Sequence, residues 1–183
     1  MIKPVLIVTT MLVAVAAAAC AQTVKRPTRI EIDTSIDLPA SPEAVWAVLS
    51  DIRSYPDWNP YHVSVDGNLA LGERLVVKIE KPNGNKLTIE PHVLEIEPTR
   101  SLVWGGGPRG LFRGEHRFDL EIIAPGCTRL HHTEVFSGLF VSFAELGSIE
   151  LGYHGMNQAL LGRLEDQGMA ARSAQGLAFC QSS

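Results

Sequence analysis

Residues 29–38 alternate apolar with polar side chains, and Ile30, Ile32, Ile36 and Leu38 share one parity. Period two marks a half-buried strand. The rhythm then changes. Ser41 suits a helix N-cap, Pro42 the first helical position and Glu43 the acidic first turn. Val45, Trp46, Val48 and Leu49 give that helix an apolar face, and Pro56 and Pro60 confine the chain to a compact turn around Trp58. Five more strands are predicted. They cover 74–80, 86–97, 100–105, 112–123 and 128–136, with turns at Asn83-Gly84 and Pro125-Gly126. Pro91 interrupts the second of these and predicts a bulge or an edge.

From 139 to 167 the period lengthens. Phe143, Leu146, Ile149, Tyr153, Met156, Leu160 and Leu164 recur every three to four residues, one face of a long helix. Gly147, Gly152 and Gly155 lie inside it. Each costs about 1 kcal/mol relative to Ala, so close packing or room for a cavity is expected there. The pattern is α+β: a short helical region near the start, antiparallel strands in the middle, and a terminal helix for the sheet to grip.

The chain has 183 residues, which suits one domain with a sizeable core. Its net charge is -4 and it has no basic run, which argues against nucleic acid as a partner. The N-terminus stands apart. Lys3, the apolar residues 4–19 and the small residues after them match a secretory signal. The apolar run is shorter than the roughly 20 residues of a membrane-spanning helix. Two processing routes stay open. Ala19-Cys20-Ala21 fits ordinary cleavage, and Ala17-Ala18-Ala19-Cys20 resembles a lipobox that would make Cys20 a lipid-modified membrane attachment. The expected divisions are a signal over 1–21, a tether over 22–28, a folded domain over 29–168 and a tail over 169–183. Exported to the periplasm or anchored to the membrane, the chain would meet an oxidising compartment. There Cys127 and Cys180 are able to pair, although the sequence does not require it.

Several stretches together resemble one superfamily. They are Ser41-Pro42-x-x-Val45-Trp46, Asp51, Trp58-x-Pro60, Trp104, Phe112-x-Gly114-x-His116-x-Phe118, and His132-Thr133-Glu134-x-Phe136-Ser137-Gly138-Leu139. In these the chain is similar to SRPBCC proteins, the START and Bet v 1-like helix-grip superfamily, in its polyketide cyclase/dehydrase branch. The resemblance spans about 30–167. It implies a curved antiparallel sheet of about seven strands around the C-terminal helix, with two short helices after the first strand and an apolar cavity between sheet and helix. An exported member departs from the more usual cytoplasmic ones.

Candidate chemistry follows from the strand faces. His116, His132 and Glu134 fall on inward parities, and the Pro125-Gly126 turn makes their strands neighbours. A buried carboxylate beside a histidine can act as an acid/base pair, while satisfying one another inside the core is the plainer role. Trp58, Trp104, Phe112, Phe118, Phe136, Phe143 and Tyr153 are candidate cavity walls, and Asn157 is a polar residue near the middle of the helix. No spaced metal-ligand motif is present, no cofactor is expected, and there is no Gly-x-Ser-x-Gly elbow. The glycine-rich run 105–110 precedes a strand rather than a helix, so it reads as a loop over the cavity mouth rather than a phosphate cradle. Three functions follow: a carrier of a small hydrophobic molecule, a cyclase- or dehydratase-like enzyme using His132 and Glu134, or an envelope interaction protein with a vestigial pocket.

Overall fold

The alternation at the start becomes strand β1 (Arg29–Leu38) in the computed structural model, which describes residues 28–170 and Cys180. The expected signal, Cys20 and nearly all of the expected tether lie outside the described residues, as does the expected tail beyond 170 apart from Cys180. Helix α1 (Pro42–Ser50) starts where the capping residues predict, with the Ser41 hydroxyl accepting from the Ala44 amide at 3.4 Å. It buries Val45, Val48 and Leu49. A 3₁₀ turn (Ile52–Ser54) and the short α2 (Tyr55–Trp58) form the compact turn around Trp58.

The strands that follow are β2 (His62–Gly67), β3 (Leu75–Glu80), β4 (Lys86–Ile89), β5 (His92–Glu97), β6 (Ser101–Gly106), β7 (Arg113–Ala124) and β8 (Cys127–Ser137). Two corrections to the expected strands arise here. β2 was not foreseen, because its six residues contain only two aliphatic side chains, Val63 and Val65. The single strand expected over 86–97 is two, since Pro91 lacks the N–H that a ladder needs. The described residues therefore form eight strands, arranged antiparallel as a five-stranded sheet β1-β8-β7-β6-β5 and a three-stranded sheet β2-β3-β4. Backbone bonds from Leu75 N–H to Pro91 O (2.9 Å) and from Val93 N–H to Glu73 O (2.9 Å) tie the two sheets together around the bend.

Helix α3 (Gly147–Asp166) begins later than the periodicity suggests. Residues before it form a loop with a 3₁₀ turn at Val141–Phe143. The start is set by Glu145, whose carboxylate accepts the Ser148 amide at 2.8 Å and the Ser148 hydroxyl. Ile149, Tyr153, Met156, Leu160 and Leu164 are buried against the concave sheet. Each such aliphatic side chain contributes about 1.5–3 kcal/mol of burial. Gly152 explains its own cost, because a methyl group there would overlap the Tyr61 ring. Cys127 and Cys180 form a disulfide, covered by Ala124 and Ile123.

Candidate functional site

Period-two placement and register bring the polar residues together. On β7 and β8, His116 lies opposite Glu134, and Phe118 opposite His132. β6 sets Trp104 opposite His116, and the two rings stack at 5.2 Å between centroids. His131 takes the outward parity and meets Glu121 at 3.0 Å. The inward parity ends at a register shift between Ile122 and Ala124, where Ile122 turns to solvent.

A cavity of about 390 Å³ opens between this sheet and α3. Ile79, Ile89, Trp104, Phe112, Phe136 and Ile149 supply apolar wall, and Glu134, His116, Tyr153 and His62 are among the polar side chains that line it. Gly114 makes the seat for that carboxylate, since a side chain there would run into Glu134 Oε1 and the Phe136 ring. The Tyr153 hydroxyl donates to Glu134 and lies 3.0 Å from His116 Nδ1. With its proton given to Glu134, the phenol oxygen accepts from Nδ1–H, which leaves His116 Nε2 as a buried acceptor without a partner among the described residues.

Burial decides the charges. It pushes the Glu134 carboxyl up from 4.5 to about 7, against the opposing pull of the Tyr153 hydrogen bond and of Lys81. Burial also drives His116 well below its ordinary value, helped by His132 and His62, and takes His62 and His132 down to about 3. The Tyr153 phenol is driven well up by burial and by the neighbouring Glu134. The histidines are therefore neutral at pH 7, while Glu134 changes charge near it.

The expected residues divide into two groups. Trp104, Phe112, His116, Glu134, Phe136 and Tyr153 line the cavity. His132, Phe118, Trp58, Phe143 and Asn157 do not. His132 donates from Nδ1 to Asn157 Oδ1 at 2.7 Å, Asn157 Nδ2 donates to Thr34 Oγ1 at 3.2 Å, and Thr34 Oγ1 donates to the His132 carbonyl at 2.9 Å. This closed ring of bonds lies in the core behind the site. Phe118 packs edge-on to Trp104 in the core, and Trp58 packs on Tyr55. Phe143 belongs to the loop before α3 and is 68% exposed. The histidine brought to Glu134 is thus His116, at 4.0 Å, and not His132.

Tyr61, His62, Lys81 and Glu145 also line the cavity and were not anticipated. Tyr61 and His62 sit where β2 was missed. Lys81 and Glu145 lie on loops, where no periodicity points inward. Among the described residues, no group of three or more His, Cys, Asp or Glu side chains is arranged to hold a metal ion.

A curled antiparallel sheet around a long C-terminal helix is also what known proteins share with this chain. The family described as polyketide cyclase/dehydrase and lipid transport matches residues 29–167. The chain belongs to this family. Its members bind small hydrophobic molecules. Among solved structures, a START superfamily protein from Mycobacterium smegmatis aligns with a TM-score of 0.61 at 19% identity, covering 75% of this chain and 98% of that one. The Zhui aromatase/cyclase from Streptomyces sp. R1128 aligns with a TM-score of 0.64 at 16% identity, over 80% and 99% of the two chains. A protein from Mesorhizobium loti gives 0.56 at 21% identity, over 75% and 98%. These likenesses establish the helix-grip fold, and no curated protein matches the chain by sequence.

Proposed function

We propose that this protein binds a small, largely apolar molecule carrying one hydroxyl or carbonyl group, with that group directed at Glu134. The observation that carries the reading is the 390 Å³ cavity, apolar along its walls and ended by Glu134, Tyr153 and His116. Such a volume lies in the range of small-molecule sites, and a few polar groups in an apolar cleft fix orientation. Export accompanies this reading. It is supported by the signal-like residues 1–21 and by the Cys127–Cys180 bridge, a bond that persists outside reducing compartments.

Native mass spectrometry of the exported protein, purified without detergent, tests the reading. A stoichiometric added mass is expected, and a titration with hydroxylated and plain hydrocarbon probes should change Trp104 emission. Glu134→Leu should weaken the hydroxylated probe and spare the hydrocarbon. A cavity that takes up no apolar probe of any kind would end the proposal.

A second reading, a cyclase- or dehydratase-like enzyme, is favoured by one observation: a carboxyl that titrates near neutrality faces an open cavity. In that case Glu134 would take and return a proton while Tyr153 and His116 position it. Deuterium uptake at carbon by the recovered molecule in heavy water, lost in Glu134→Gln, would identify the enzyme. A molecule recovered without deuterium would identify the carrier.

A further inference from the structure

The loops 107–112 and 138–144 are bonded to one another at the cavity mouth. Leu139 N–H donates to Gly110 O at 3.1 Å and Phe140 N–H to Leu111 O at 3.0 Å. Gly107 and Phe112 of the first loop and Ala144 of the second line the cavity. Yet the tips of the same two loops turn large apolar side chains outward. Leu111 is 45% exposed, Leu139 64% and Phe140 55%. Contiguous exposed apolar side chains mark an interaction surface.

The fold also fixes where the N-terminus leaves this surface. Thr28 O accepts from Gly138 N–H at 2.8 Å, so the chain departs from the domain beside the same apolar tips. The residues between Cys20 and Thr28, even fully extended, reach no further than about 30 Å. A lipid on Cys20, or an uncleaved apolar segment before it, would hold this face toward the bilayer. Arg109 and Arg113 flank the tips and pair with no carboxylate among the described residues. They are free to meet lipid phosphates.

We infer that the cavity mouth docks on a lipid bilayer, with Leu111, Leu139 and Phe140 entering the interface. Apolar side chains buried among acyl chains supply the attraction and the two arginines add to it on anionic lipid. The inference rests on the proposed ligand binding only for what would pass through the mouth, between membrane and cavity.

The test is made with the full chain as the cell processes it, carrying Phe140→Trp. Vesicles of phosphatidylethanolamine and phosphatidylglycerol with brominated acyl chains are the probe. The added emission should shift to the blue on vesicles and be lost to bromine, beyond the background of Trp46, Trp58 and Trp104 in the wild type. Leu139→Trp should behave in the same way, and both sites are exposed enough to accept the ring. An added tryptophan that keeps a solvent-like, unquenched emission on vesicles would overturn the inference. So would a blue shift without vesicles that tracks self-association, since a second copy would then cover the face. Cavity probe binding without vesicles, measured on the same protein, reports separately on the ligand-binding proposal.

Discussion

Glu134 is a carboxyl held against its own burial, and that gives the stability curve a definite sign. Its folded value, about 7, lies above the ordinary 4.5. Between those values the folded state binds the extra proton, so this contribution is fully present below 4.5 and is lost as pH rises toward 7. Comparing Glu134→Gln with wild type by urea denaturation at several pH values isolates it. The wild type should lose up to about 3 kcal/mol relative to the variant between pH 4.5 and 8. Identical profiles would show that burial is not what sets this group. Asn157 offers the complementary case. It bonds the buried His132 Nδ1 and Thr34 Oγ1 and is not part of the wall of the 390 Å³ cavity. Asn157→Leu should cost roughly 2–4 kcal/mol by leaving the His132 Nδ1–H without an acceptor and Thr34 Oγ1 without its donor, with probe affinity in the folded fraction unchanged. A selective loss of affinity would return Asn157 to the site.

At the level of elements, the packing of α3 turns on Gly152. Ala is the better helix former by about 1 kcal/mol. Here the methyl would overlap Tyr61, a buried ring already set edge-on to Tyr153 at 5.2 Å. Overpacking costs about 1–3 kcal/mol, so the clash outweighs propensity. Gly152→Ala should lower Tm by several degrees and disturb the cavity, whereas Gly155→Ala meets only Pro60 at an ordinary 3.8 Å and should be neutral or stabilising. The β3–β4 hairpin is latched to the start of α3 through Glu145. Lys81 Nζ donates to its carbonyl at 3.1 Å and its carboxylate at 3.3 Å, and Asn83 donates to the carboxylate at 3.3 Å. Since Lys81 and Glu145 both line the cavity, Glu145→Ala should speed amide hydrogen exchange through residues 81–86 and hasten probe release. Unchanged rates of both would mean the mouth does not open at this latch.

For the whole molecule, the Cys127–Cys180 bridge closes the chain across a separation of 53 residues. Restricting an unfolded loop of that length is worth about 4 kcal/mol in the chain-entropy account. Reduction, or Cys127→Ala with Cys180→Ala, should therefore lower the denaturation midpoint measurably. A midpoint insensitive to reductant would show that the bridge holds only the tail. The cavity lies at the far end of β8 from Cys127, with Phe136 and Glu134 in its wall. Loss of the bridge should leave probe affinity in the folded protein unchanged.

Much of this architecture was legible in the residues. Alternation placed β1, β7 and β8, Ser41-Pro42 placed the first helix, and the period-two rule turned His116, His132 and Glu134 inward. Each of these is a local signal, written by the few residues that make the element. β2 escaped because two valines in six residues are too few for a period to emerge. The start of α3 escaped because its fixing bonds come from Glu145, a side chain outside the repeating face. Which inward residue would meet which, and which would meet open space, was decided by tertiary structure alone. His116 and His132 share one face of the sheet, yet register and the placement of α3 send one to the cavity beside Glu134 and the other to Asn157 in the core. Parity belongs to a strand, whereas the division between cavity and core depends on how a helix lies across several strands at once.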